Sequence, residues 1–169
     1  MMGMMTGRQV VDVLRGFTQA GITAWVDGGW RIDALLGAQT RQHDDLDLVV
    51  PAGDVCYARE LLLECGFAIE RDWLPTALAL RHPDDRAVDL HPIRPTPDGG
   101  GDQAQPDGSR WHYDLPVTGR IDGHRVRCCS PECQMAAHLG YQPDDTDRAD
   151  IAALASRYGL TLPPGYRYG

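Results

Sequence analysis

Two residue types are missing from this 169-residue chain: it has no lysine and no asparagine. Without lysine there is no phosphate loop of the Gly-Lys type, no Schiff-base catalysis and no lysyl-adenylate ligation. Without either residue the protein-kinase constellation cannot be assembled, and N-glycosylation lacks its acceptor. All non-histidine basic work falls to arginine, whose planar fork suits phosphate. Positive charge is also scarce, with 16 basic against 24 acidic side chains and a formal net charge of -8. That balance argues against a nucleic-acid backbone or an anionic membrane as the main partner.

Paired cysteines are absent too. The five present (Cys56, Cys65, Cys128, Cys129 and Cys133) are odd in number and show no Cys-x-x-Cys spacing. They read as free thiols in a reducing cytoplasm. A zinc site at Cys128, Cys129 and Cys133 lacks a second ligand pair, so packing is favoured for these three. No apolar run reaches the length of a membrane span, and Met1 to Met5 are not followed by the apolar stretch of a signal peptide. The expectation is a cytoplasmic protein with no membrane partner. The length suits one domain over residues 1–169, large enough to fold without crosslinks.

What is present is a mixed pattern of periods. Thr6 to Ala20 read as a capped amphipathic helix, and Ile22 to Val26 as a short buried strand ending at Asp27-Gly28-Gly29. A brief helix from Trp30 to Leu36 stops at Gly37, and Asp45 to Val50 alternate as a strand. Asp54 to Cys65 have helical period. Phe67 to Arg71, Thr76 to Arg81 and Ala87 to Ile93 are extended, the last two joined by the turn signal Pro83-Asp84-Asp85. Residues Pro95 to Arg110 are rich in Pro, Gly, Asp and Gln and read as a long loop of functional length. Trp111 to Val117 and His124 to Cys128 flank Asp122-Gly123 as a second hairpin. Helices follow from Ser130 to Leu139 and from about Asp145 to Tyr158, so the C-terminal part, about residues 130–159, is helical. The fold class is α+β: a central mixed sheet with flanking helices and C-terminal helices packed on it.

Chemistry concentrates between Val26 and Val50. A Gly28-Gly29 turn between strand and helix brings backbone N–H groups and a helix N-terminus towards one anion, most simply a phosphate. In Asp45-Leu46-Asp47-Leu48 the leucines face a core, so the two aspartates project together from the other face. Two such charges about 4 Å apart repel by about 4 kcal/mol at an effective dielectric near 20, which a cation would relieve. Solvated, splayed aspartates on an exposed strand are the alternative. Val88-Asp89-Leu90-His91 alternates in the same way. If that strand lies beside the first, three carboxylates converge, a donor set that Mg²⁺ prefers together with substrate phosphates.

These residues resemble a family. Asp27-Gly28-Gly29-Trp30, Asp33-Ala34-Leu35-Leu36-Gly37, Thr40-Arg41, His43 and Asp45-Leu46-Asp47 look like the antibiotic nucleotidyltransferases of the polymerase-β-like superfamily. Val88-Asp89-Leu90-His91-Pro92-Ile93, Asp98-Gly99, the stretch Gln103 to Gly108 and His138-Leu139-Gly140-Tyr141 bring it nearer the small lincosamide nucleotidyltransferases than the aminoglycoside 2''-adenylyltransferases. The likeness runs from about Ala24 to Tyr158.

The resemblance implies that Gly28, Gly29 and Trp30 hold the nucleotide and that Asp45, Asp47 and Asp89 bind Mg²⁺. Asp89 would also deprotonate an acceptor hydroxyl attacking the α-phosphate of ATP. Arg41, between the glycine turn and the carboxylates, is expected to touch the triphosphate, with a surface ion pair to an aspartate as the alternative. Arg31 stands where relatives of this kind carry a small residue, and is open between a phosphate contact and solvation. His43 reads as a structural hydrogen-bond partner, and His91 as either that or an orienter of the carboxylates. The implied activity is transfer of a nucleoside monophosphate to a small antibiotic, a lincosamide first and an aminoglycoside second. A protein acceptor, a non-catalytic nucleotide-binding relative and a homodimer completing the acceptor cleft stay open.

Overall fold

The computed structural model describes residues 3–167. Thr6 caps the first helix, α1 (Gly7–Gln19), in a reciprocal box with Gln9, and buries Val10, Val11 and Phe17 on one stripe. Strand β1 (Trp25–Asp27) is short because Gly28, with φ +60°, turns the chain directly into α2 (Gly28–Leu36). Strand β2 (Asp45–Pro51) leads through a 3₁₀ turn at Ala52–Asp54 into α3 (Val55–Glu64). Then come β3 (Ala68–Trp73), β4 (Ala77–Arg81), β5 (Ala87–Pro95), β6 (Gly101–Ala104), β7 (Arg110–Tyr113), β8 (Val117–Ile121) and β9 (His124–Cys128). Helices α4 (Pro131–Ala137) and α5 (Asp145–Tyr158) complete the described chain.

The sheet runs β3-β4-β5-β2-β1-β9-β8, with β6 paired to β5 and β7 to β6. Pairs β2–β5 and β1–β9 are parallel and the others antiparallel, so the sheet is mixed, as expected. One face is the core. Leu46, Leu48 and Val50 of β2, Val88 and Leu90 of β5, and Leu78 and Leu80 of β4 pack there against Phe17, Ala58 and Leu62 from α1 and α3. Each strand's alternate residues must then point to the other face. That second face carries a smaller cluster at the β1–β2 end, formed by Trp25, Val49, Ile93, Tyr113, Cys129 and Cys133.

Two expectations are corrected. The stretch 95–110 is not a plain loop, because Gly101–Ala104 forms β6 and pairs with both β5 and β7. Its Gly and Gln content conceals a strand held by main-chain pairing rather than by apolar side chains. Trp111 to Val117 is not one strand either. Residues 111–113 pair with β6, and the hairpin across Asp122-Gly123 begins at Val117. Asp122 and Gly123 both have positive φ (49° and 76°), the conformation a two-residue hairpin turn requires. Cys128, Cys129 and Cys133 are buried among core residues, in keeping with a packing role.

Candidate active site

The parallel pairing of β2 with β5 sets the site. Asp47 lies opposite Asp89, and Asp45 enters the same face one pleat away. Ligand oxygens from Asp45, Asp47 and Asp89 lie within 4.8 Å of one another, and all three side chains are half-buried. The antiparallel partner β1 places Asp27 opposite Asp47, so the glycine turn follows immediately beside the carboxylates. Gly28 is an obligate glycine: a Cβ there would collide with Asp47 Oδ2, and the backbone is left-handed. Gly29 is constrained by space alone, since a Cβ there would meet the His43 ring and the Arg41 guanidinium.

The electrostatics are those of crowded like charges. Burial, then the charges of Asp47 and Asp89, pushes the Asp45 carboxyl up to about 6. Burial and Asp47 likewise raise Asp89, although His91 and Arg71 pull it back in part. Three crowded carboxylates, whose repulsion His91 relieves only in part, form a hard oxygen donor set, and the residues fit a divalent ion such as Mg²⁺.

A hydrogen-bonded chain supports the site from below. His91 Nε2 lies 2.8 Å from Asp47 Oδ1, and the Gln103 amide nitrogen donates to the Thr76 carbonyl at 2.8 Å while approaching His91 Nδ1 at 3.2 Å. With Nδ1 accepting from that amide, His91 carries its proton on Nε2 and donates it to Asp47. The Tyr113 hydroxyl reaches Asp27 Oδ2 at 3.0 Å and Gln103 Oε1 at 3.2 Å. The part that Gln103 and Tyr113 play in this chain of bonds is not given by sequence reasoning. Only the alternation of β6 and β7 could have revealed them, and that signal is masked by polar composition.

Arg31 is not solvated, and it stands in the wall of the hollow beside the glycine turn. It is 3% exposed and its guanidinium lies 2.9 Å from Asp27 Oδ1. Burial pushes the Asp27 carboxyl up, but Arg31, His91 and the Gly28 N–H together hold it below its ordinary value. The Trp30 side chain lies in the core beside His43, while its backbone N–H is in the first helical turn, where it has no partner within the helix. Arg41 takes the ion-pair arrangement, 3.2 Å from Asp150 Oδ2, while still bordering Gly29. His43 is structural, bonded to Asp33 Oδ2 at 2.5 Å, and Thr40 donates twice to Asp33 Oδ1.

A hollow of about 300 Å³ opens between α2 and the C-terminal helices, bordered by Gly28, Gly29, Arg41, Asp47, Gln134 and Asp150. Thus the glycine turn, Arg41 and Asp47 share one cleft. Asp45 and Asp89 continue it across the sheet.

A strand, a double-glycine helix start and aspartates on the neighbouring strands, set in this mixed sheet, define the nucleotidyltransferase class. The chain belongs to the aminoglycoside-2''-adenylyltransferase family, whose model matches residues 9–154. A lincosamide resistance protein of Staphylococcus haemolyticus is 33% identical over 153 residues, 89% of this chain and 95% of that protein. The lincosamide antibiotic adenylyltransferase LnuA, solved with lincomycin bound, superposes with a TM-score of 0.82 at 31% identity, covering 91% of this chain and 99% of that one. ANT(2'')-Ia in complex with adenylyl-2''-tobramycin superposes with a TM-score of 0.71 at 21% identity over 89% of this chain and 87% of that one, a likeness of fold. No helix among the described residues is long and apolar enough to cross a membrane.

Proposed function

We propose that the protein transfers AMP from ATP to a hydroxyl of a small antibiotic, a lincosamide in preference to an aminoglycoside. The convergence of Asp45, Asp47 and Asp89 beside the Gly28-Gly29 turn carries this reading. The length-wide similarity to a lincosamide resistance protein supports the choice of acceptor.

In this reading the N–H groups of Gly28, Gly29 and Trp30 at the start of α2 hold the triphosphate, with Arg41 at its edge. Asp45, Asp47 and Asp89 would hold Mg²⁺, which when bound neutralises phosphate charge and leaving pyrophosphate. Asp89 accepts the proton of the acceptor hydroxyl. The acceptor oxygen forms its bond to the α-phosphorus, the bond from that phosphorus to the bridging oxygen breaks, and pyrophosphate leaves with its electron pair. His91 keeps the Asp47 carboxylate oriented throughout.

The experiment is pyrophosphate release from ATP and Mg²⁺ with lincomycin, clindamycin or kanamycin as acceptor. Release with the first two, and an adenylylated product by mass, is the expected result. Release with kanamycin alone would move the acceptor to the aminoglycosides, and no release with any of them would remove the antibiotic assignment.

A further inference from the structure

An opening interrupts the sheet between two neighbouring strands. β1 and β9 pair in parallel at Val26 and Cys128 alone, and the Cys129 N–H donates to the Val26 carbonyl at 3.0 Å. Upstream of that contact residues 22–24 belong to no strand, while β9 pairs with β8 along its whole length. The two chains therefore part, and a cavity of about 390 Å³ lies between them. Thr23 and Ala24 form one wall, Arg125, Val126 and Arg127 the other, and Leu14 of α1 adds an apolar side. That volume falls within the range of small-ligand pockets.

The charge along this opening is of one sign. Val126 and Cys128 belong to the core cluster, so Arg125 and Arg127 stand together on the opposite face of β9. Across the hairpin Arg120 lies directly opposite Arg125. Like charges opposite one another destabilise a sheet, and an anion beside them relieves the repulsion. A chain with a net charge of -8 has carboxylates in excess. Yet among the described residues neither Arg125 nor Arg127 takes part in an ion pair, and no carboxylate lines the cavity. The C-terminal end of α1 opposes an anion with about half a negative charge, against two full positive ones. Its last turn is also closed on itself, with the Gly21 N–H donating to the Thr18 carbonyl at 3.0 Å and the Ile22 N–H to the Phe17 carbonyl at 2.9 Å.

The main chain adds donors of its own. Main-chain groups alternate in direction along a strand. The Cys129 N–H points towards β1, so the N–H groups of Arg127 and Arg125 point the same way, into the opening. At about 3.3 Å per residue, the run from Ala24 to Gly28 puts about 13 Å between this opening and the glycine turn. The cavity shares no lining residue with the hollow at Gly28.

We infer that the opening between β1 and β9 is a binding site for a small organic phosphate, separate from the catalytic cleft. This does not depend on the transferase reading above. A phosphate group carries three acceptor oxygens and meets both guanidinium forks at once, whereas a carboxylate has only two oxygens to share. The main-chain N–H groups of Arg125 and Arg127 and the Thr23 hydroxyl border the same space. The rest of the cavity is walled by Leu14, Ala24 and Val126, and takes the organic body of the ligand.

The test uses the full chain with EDTA present, phenyl phosphate as probe, benzoate as its carboxylate counterpart, and calorimetry as the readout. Phenyl phosphate is expected to bind at one saturable site and more tightly than benzoate. Arg125→Gln and Arg127→Gln are each expected to weaken binding about tenfold, the loss of a charge-assisted hydrogen bond. Arg157→Gln, at an exposed arginine elsewhere, and Arg41→Gln, at the catalytic cleft, are expected to bind as the wild type does. Arg125 and Arg127 are exposed, so both variants should fold, and thermal melts check this. No saturable binding to the wild type overturns the site. So does a loss in Arg41→Gln that the Arg125 and Arg127 variants do not show, which places the anion in the catalytic cleft. An equal loss in Arg157→Gln shows general attraction to positive charge and overturns it too. Benzoate binding as tightly as phenyl phosphate overturns the phosphate as the ligand class.

Discussion

The carboxylate of Asp47 occupies the volume that a side chain on Gly28 would need. Sequence separates the two by a helix and a loop. The antiparallel pairing of β1 with β2 brings them together, and the carboxylate edge and the glycine turn are therefore one mechanical unit.

Gly28→Ala tests that unit. The left-handed backbone at φ +60° and the collision with Asp47 together are expected to cost about 1–3 kcal/mol of stability. Activity should fall by more than the loss of folded protein explains, since both the turn and Asp47 are displaced. Thermal melts and turnover per folded molecule check this.

Asp45→Asn should act in opposite directions on folding and on function. Asp45 is held beside two other carboxylates, and burial together with their charge raises it to about 6. A group raised in the folded state costs stability once pH exceeds that value, so at pH 7 removal of its charge should stabilise. Its side chain is only half-buried, so the gain after solvent screening is about 1 kcal/mol, roughly 2–4 °C in melting temperature for a protein of this size. Turnover should be lost, and the thermal shift produced by Mg²⁺ should shrink.

Asp33 predicts the acid limb of stability. Burial opposes its charge, but hydrogen bonds from His43 and Thr40 prevail and hold it below its ordinary value. A depressed carboxylate contributes fully above its unfolded pKa of about 3.9, and that contribution is lost as pH falls through the folded value. Asp33→Asn should cost about 2 kcal/mol at pH 7, and the gap from wild type should narrow below about pH 4. Asp27, also depressed, titrates in the same window in both proteins and cancels from the difference. A gap independent of pH down to 3 contradicts the assignment.

Gln103→Leu leaves Thr76 and His91 without their amide partner. Positioning residues behind metal ligands are worth about 10–100-fold in metal affinity or rate. The Mg²⁺ concentration giving half-maximal rate should rise by that order, with the lincomycin KM nearly unchanged. An unaltered Mg²⁺ dependence would reduce Gln103 to a packing role.

Much of this site was legible because its signals are local. Alternation around Leu46 and Leu48 implies that Asp45 and Asp47 share a face, and the structure bears that out. The double glycine between strand and helix is equally local. Position across the sheet is not local. Nothing in Val88 to Ile93 states that β5 lies parallel to β2, although the residue resemblance implied that Asp89 joins the pair. Arg31 defeated a local reading for the same reason: its partner Asp27 is one helical turn away, but the other groups that stand beside it, Tyr113, Cys129 and Cys133, come about a hundred residues on. The burial of the Trp30 ring was not legible because a motif names a position and not the direction of a side chain. The strand β6 was concealed because a strand paired on both sides needs little apolar content of its own.

The most direct measurement compares wild type with Asp89→Asn under saturating ATP, Mg²⁺ and lincomycin, following pyrophosphate and modified lincomycin together. The wild type should yield the two products in equal amounts, and Asp89→Asn should lose turnover by several orders of magnitude while keeping its fold. Wild-type turnover in Asp89→Asn would contradict the convergence of the three aspartates as the seat of the chemistry.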